Sequence, residues 1–154
     1  MQLRFRGYWK VTLIRAYADE AIAWATQFSD PQRDAVRHAY WMALCASNPE
    51  VGADDALFIA LGHEVTYKPI QQAFLSTMDL HNNVAGSEII RVVKGPGAGE
   101  KPLPNRPAIQ AAVLEKYALG ALWIWDGPAG PNDGNGQVIK SDGMKIFPSE
   151  EPAP

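Results

Sequence analysis

The 154-residue chain is predicted to be mainly α, with about five packed helices and a small C-terminal β-hairpin. Three observations carry this. Apolar residues recur at i, i+3 and i+4 over most of the first 120 positions, the spacing of one buried helix face. Proline and glycine punctuation divides that stretch into helix-length pieces. After Gly120 the pattern changes to short aromatic and β-branched runs, Ala121-Leu122-Trp123-Ile124-Trp125 and Gln137-Val138-Ile139-Lys140, which read as two paired strands.

In chain order, the first helix is expected over 8–28, burying Trp9, Leu13, Ala16, Tyr17, Ala21 and Trp24. Ser29-Asp30-Pro31 predicts a fresh start, with Asp30 as N-cap and Pro31 at the first helical position. The second helix should then run to about Ser47 and end at Asn48-Pro49. Asp54 and Asp55 suit the first turn of a third helix over 53–67, where carboxylates meet the positive end of the helix dipole. Pro69 closes it. A fourth helix is expected from Ile70 to Lys94, stopped by Gly95-Pro96-Gly97-Ala98-Gly99. A fifth follows over 107–120. Residues 1–147 would form one helical domain and 148–154 a flexible tail.

Hydrophobic residues make up 47% of the chain and charged residues 20%, with a net charge of −3. This is a globular composition. The charge argues against a nucleic-acid binder held by a broad basic surface; nucleic acid enters only as a substrate. No stretch reaches the length of a membrane span. Residues 1–10 are basic but lack the apolar run of a signal peptide, so the expected route is synthesis in the cytoplasm without a Sec signal, which leaves open delivery by another machine or excision from a larger protein. The lone Cys45 has no disulfide partner and lies on an apolar helical face, as a small core residue would.

The chemistry-bearing residues gather in three segments. Asp34, His38 and Trp41 share one face of the second helix at i, i+4 and i+7, with Arg37 and Tyr40 beside them. An acid one turn from a histidine fixes its tautomer and raises its basicity. Gly62-His63-Glu64 lies on the third helix. It is not the His-Glu-x-x-His pattern of zinc proteases, because Tyr67 takes the second ligand position. The fourth helix carries Met78-Asp79-Leu80-His81-Asn82-Asn83, then Gly86. Asp and Asn are poor helix formers, so three of them mid-helix mark a conflict of the kind found at functional sites. At 100° per residue, Asp79, Asn82, Asn83 and Gly86 share one face, while His81 lies roughly 200° from Asp79 and is expected at the periphery. Gly86 would let another backbone or a substrate come close.

Arg37-His38-Ala39-Tyr40-Trp41, His63-Glu64 and Met78-Asp79-Leu80-His81-Asn82-Asn83 with Gly86 resemble the signature of an uncharacterised family of small bacterial domains. That family often forms a C-terminal module of polymorphic-toxin and secreted-effector proteins. The likeness covers about residues 30–93 and departs at Ser87, where a basic residue is expected. It implies a shared site and an effector context, with a cognate immunity protein or a parent delivery protein as partner. It implies no particular reaction.

The residues themselves point to a hydrolase, with phosphodiesters of a nucleic acid or a phospholipid as the first substrate class to test. His38 would be the base or a metal ligand, with Asp34 behind it. Glu64 or His63 would supply an acid, a base or a ligand. Asp79 would hold a metal or orient His38. Asn82 and Asn83 would donate to substrate or to developing negative charge. Arg37, Tyr40 and Trp41 would line the substrate pocket. Donors His38, His63 and Asp79 suit one divalent ion, Zn²⁺ or Mn²⁺, better than Ca²⁺. The competing expectation is a non-enzymatic binding, immunity or adaptor module in which the same residues form a structural polar network.

Overall fold

The computed structural model describes residues 2–64, 70–89, 105–127 and 136–146. Five helices, α1 (Gln2–Ala25), α2 (Gln32–Ser47), α3 (Ala53–Glu64), α4 (Ile70–Glu88) and α5 (Arg106–Ala118), precede two strands, β1 (Trp123–Asp126) and β2 (Gln137–Lys140). The mainly α class with a terminal hairpin is as the periodicity predicts. Among the described residues no helix is long and apolar enough to cross a membrane.

α2 is the hub. It packs against α1, α3, α4, α5 and β1, and nine of its sixteen residues are buried. A helix covered on so many sides has to be apolar or small nearly all round, and Ala35, Val36, Ala39, Met42, Ala43, Leu44 and Cys45 supply that surface. Its start differs from expectation. Pro31 occupies the N-cap and no side chain caps the helix, so Asp30 does not play that part. The Arg33 amide is satisfied instead by Ser29 O at 3.0 Å. At the far end, Asn48 turns the chain by accepting the Glu50 amide at 2.9 Å and donating to Tyr17 Oη at 2.9 Å.

α1 buries Ile14, Tyr17, Ala21 and Ala25, with Leu13 and Trp24 half-buried against the core; of the expected face only Trp9 and Ala16 are exposed. Trp9 is 56% exposed, and its indole donates to Glu50 Oε2 at 3.2 Å. Trp41 of α2 ties the two helices together, its Nε1 donating to Ile14 O at 2.9 Å.

α4 crosses α2 at Gly86 and Ala39. A Cβ on Gly86 would sit 2.1 Å from Ala39 O, so the two backbones are in direct contact and only glycine fits. Of the two uses expected for this glycine, the structure shows the backbone approach. α5 starts one residue earlier than expected, with Asn105 accepting from the Ala108 amide at 3.3 Å. In the hairpin Ile124 pairs with Ile139, and both are buried in the helical core. The expected ends of the third and fourth helices at 67 and 94, the loop glycines and prolines at 95–104, and the tail at 148–154 lie outside the described residues.

Candidate functional site

His38 is where α2 and α4 meet chemically. It projects from α2 and is 7% exposed. Its Nδ1 lies 3.1 Å from Asn83 Oδ1 of α4. A carbonyl oxygen only accepts, so Nδ1 carries the proton and donates. In the neutral ring the lone pair is then on Nε2, on the side away from Asn83. Three groups surround Nε2. Asp79 Oδ1 lies at 3.3 Å and Asp34 Oδ1 at 3.8 Å. Arg37 Nη2 lies at 3.0 Å and also donates to Asp34 Oδ1. Arg37 therefore bridges its own helix's carboxylate and the imidazole.

This cluster opens into a pocket of about 520 Å³ lined by ten residues, within the range of small-ligand sites. α2 contributes Arg37, His38 and Trp41, and α4 contributes Asp79. α1 contributes Val11, Ile14, Arg15, Ala18 and Ile22, and α3 contributes Ile59. The His38 and Trp41 rings are tilted, with centroids 6.4 Å apart. The pocket lining thus combines the polar His38, Asp79, Arg37 and Arg15 with six apolar side chains.

The sequence-predicted residues divide three ways. Asp34, Arg37, His38, Trp41, Asp79 and Asn83 come together. Asn82 and Tyr40 do not. Asn82 is fully buried and faces the hairpin: its Nδ2 donates to Trp123 O at 2.9 Å and its Oδ1 accepts the Trp123 amide at 2.8 Å. The expected common face of Asp79, Asn82 and Asn83 is therefore split between the pocket and β1, because β1 packs against α4 and needs a partner for its first backbone pair. Tyr40 is likewise fully buried rather than a pocket wall. Its hydroxyl donates to Glu20 Oε1 at 3.3 Å and accepts from Gln110 Nε2 at 3.0 Å, and burial raises its pKa. His81 is peripheral to the pocket, stacked 3.9 Å from Trp123 with its Nε2 against Ala121 O at 2.8 Å. The third group is His63 and Glu64, whose side chains lie outside the described residues.

Asp34, His38 and Asp79 each present one donor atom, and the three atoms lie within 4.8 Å of one another. That spacing fits one divalent cation, with a nitrogen and two oxygens of the kind zinc or manganese accepts. The Arg37 guanidinium already touches two of the three donors, so a metal would compete with it.

Sequence reasoning missed the contribution of α1, Arg15 above all. Arg15 stands four residues before Asp19 and reads as half of an exposed i, i+4 pair. Nothing in the chain marks it as a pocket residue.

The pattern of a family described as a domain of unknown function (DUF6973) matches residues 8–105. The chain belongs to the DUF6973 family. The match takes in α1 to α4 and hence every pocket residue named above, whereas α5 and the hairpin lie beyond it. No curated protein and no solved structure matches this DUF6973 chain.

Proposed function

We propose that the protein is a hydrolase acting on phosphodiesters, with His38 as the group that moves the proton. The observation that carries this reading is the setting of the His38 ring. Asn83 holds Nδ1–H, which leaves the Nε2 lone pair at the pocket with a carboxylate 3.3 Å away.

In the resting state Arg37 donates to that lone pair. When Nε2 takes a proton from an attacking water, the new N–H has Asp79 Oδ1 as its acceptor. The guanidinium, no longer welcome beside an imidazolium, turns to the anionic oxygens of the substrate. The water oxygen bonds to phosphorus, the ester P–O bond breaks, and the departing alkoxide takes the proton back from Nε2. Asn83 holds the ring through Nδ1–H in both protonation states, and Asp79 adds its acceptor once Nε2 is protonated, which is the usual demand on an acid–base histidine. A divalent ion on Asp34, His38 and Asp79 would displace Arg37 and supply an acidified water in place of the free one. The toxin or effector setting implied by the sequence resemblance suits a small hydrolytic domain, with an immunity protein as the natural partner.

The test is hydrolysis of bis(4-nitrophenyl) phosphate by the wild-type chain, His38→Gln and Asp79→Asn, with circular dichroism on each and elemental analysis of untagged protein. Turnover lost in both variants with the fold retained supports the reading. Turnover unchanged in His38→Gln overturns it. Co-purifying zinc or manganese that leaves with His38→Gln selects the metal-bound form. The polar-network alternative draws on the deep burial of Asn83, at 1% exposure. It requires His38→Gln to unfold and the wild-type chain to be inert.

A further inference from the structure

The pocket's lining is unlike that of a nucleic-acid enzyme. Six of its ten lining residues are apolar: Val11, Ile14, Ala18, Ile22, Trp41 and Ile59. The apolar character continues outward. Tyr8 is 77% exposed, Val11 47%, Ile22 48% and, on α3, Phe58 77%. Tyr8, Val11, Arg15, Ala18 and Ile22 follow one another at three- and four-residue steps, so they form a single stripe along α1. Arg15 sits in the middle of that stripe and lines the pocket. Among the described residues it forms no ion pair.

Charge is segregated along the chain in the same direction. Arg4, Arg6, Lys10 and Arg15 are the charged residues of positions 1–15, and no acid stands among them, although the whole chain is at −3. Lys10 is held by Asp55 of α3. A basic helix segment that carries exposed aromatic and aliphatic side chains beside an exposed arginine with no ion pair among the described residues is the pattern of a protein resting on an anionic membrane surface. A nucleic-acid site of this size would need more cations and fewer bare hydrocarbons.

We infer that the groove between α1 and α3 docks on an anionic phospholipid surface and admits the phosphate end of one lipid to His38. The apolar walls would cover the glycerol and upper acyl region, and Arg15 would meet the phosphate on its way in. This rests on the reading of His38 as the reactive group and names the substrate class for it.

The experiment is sedimentation of the full chain with vesicles of phosphatidylglycerol mixed with phosphatidylcholine, set beside phosphatidylcholine alone and a single-stranded oligonucleotide. Ile22→Glu and Arg15→Glu are the variants, both at exposed positions of α1 and checked by circular dichroism. Wild-type chain is expected to sediment with the anionic vesicles, less so as NaCl is raised. Each variant is expected to bind them roughly tenfold more weakly, the effect of losing one buried apolar side chain or one surface cation. Equal binding to both vesicle types with no effect of either variant overturns the inference, as does tighter binding to the oligonucleotide. Release of a water-soluble phosphate ester from the vesicles, followed in parallel with the soluble diester, separates the two claims. Vesicle binding without hydrolysis of either substrate upholds the docking surface and removes the hydrolase reading. Hydrolysis of the soluble diester without vesicle binding does the reverse.

Discussion

Replacing Gly86 by alanine would strike the contact on which the site depends, and the structure sets its size. The added Cβ would lie 2.1 Å from Ala39 O, 2.7 Å from Ala39 Cα and 2.8 Å from Ala39 C. All three are backbone atoms and cannot swing aside. Non-bonded atoms in a packed interior need at least about 3 Å, so α2 and α4 must part by roughly 0.9 Å at the crossing. Asn83 is less than one turn from Gly86 along α4, so its 3.1 Å contact with His38 Nδ1 would stretch to about 4 Å and cease to be a hydrogen bond. Overpacking of this kind costs about 1–3 kcal/mol, and the lost hydrogen bond adds about 1 kcal/mol. Alanine's better helix propensity returns up to about 1 kcal/mol. The net expectation is a loss of about 1–3 kcal/mol, a fall in Tm of roughly 3–10 °C, together with loss of His38-dependent turnover. Urea titration and thermal melting read the first, the diester assay the second. Gly62→Ala is the matched control: it is also helical, but its Cβ would meet nothing within 4 Å, so it should be neutral or stabilising by up to about 1 kcal/mol. If Gly86→Ala melts at or above the wild-type temperature, the close crossing of α2 and α4 is wrong, and with it the placement of Asn83 on His38.

Other outcomes follow from the same contacts. Asn82→Ala would strip both backbone partners from Trp123, costing about 2–3 kcal/mol by urea titration while leaving the pocket formed. Cys45, whose thiol burial pushes its pKa up to about 12, should resist an aromatic disulfide reagent at pH 8 until urea unfolds the chain, because the thiolate is the reactive form. The same shift has a sign in stability. The unfolded thiol ionises near its ordinary pKa and the folded one does not, so stability should decline as pH rises above about 9 and continue to fall toward 12. The raised pKa values of Tyr40 and Tyr117, both due first to burial, act in the same direction above pH 10. Tm measured across that range, with Cys45→Ala removing part of the slope, checks this.

The helical class and the hairpin were legible because both rest on local periodicity and breakers, which a chain shows directly. The segments holding His38, Asp79 and Asn83 stood out because amides and acids mid-helix oppose local propensity. What the chain did not show is which neighbour each of those residues meets. Asn82 and Asn83 are adjacent and equally buried, yet one serves β1 and the other His38, a division set by where the hairpin returns to α4. Tyr40 sits beside His38 in sequence and was expected beside it in the pocket. It points instead toward Glu20 and Gln110, since α5 and α1 close over that side of α2. Arg15 was missed for the converse reason: its chemistry depends on α1 lining the same pocket as α2 and α4, which no spacing within α1 encodes.

The claim at the centre is that Asn83 fixes the His38 ring with Nδ1 protonated and Nε2 facing the pocket carboxylates. ¹⁵N NMR of the histidine ring nitrogens at a pH where the ring is neutral measures this directly. The account predicts a protonated Nδ1 and a bare Nε2 for His38, with the preference lost in Asn83→Ala and the ring's titration moved to lower pH in Asp79→Asn. A neutral His38 protonated at Nε2, or a titration that ignores Asp79→Asn, would contradict it.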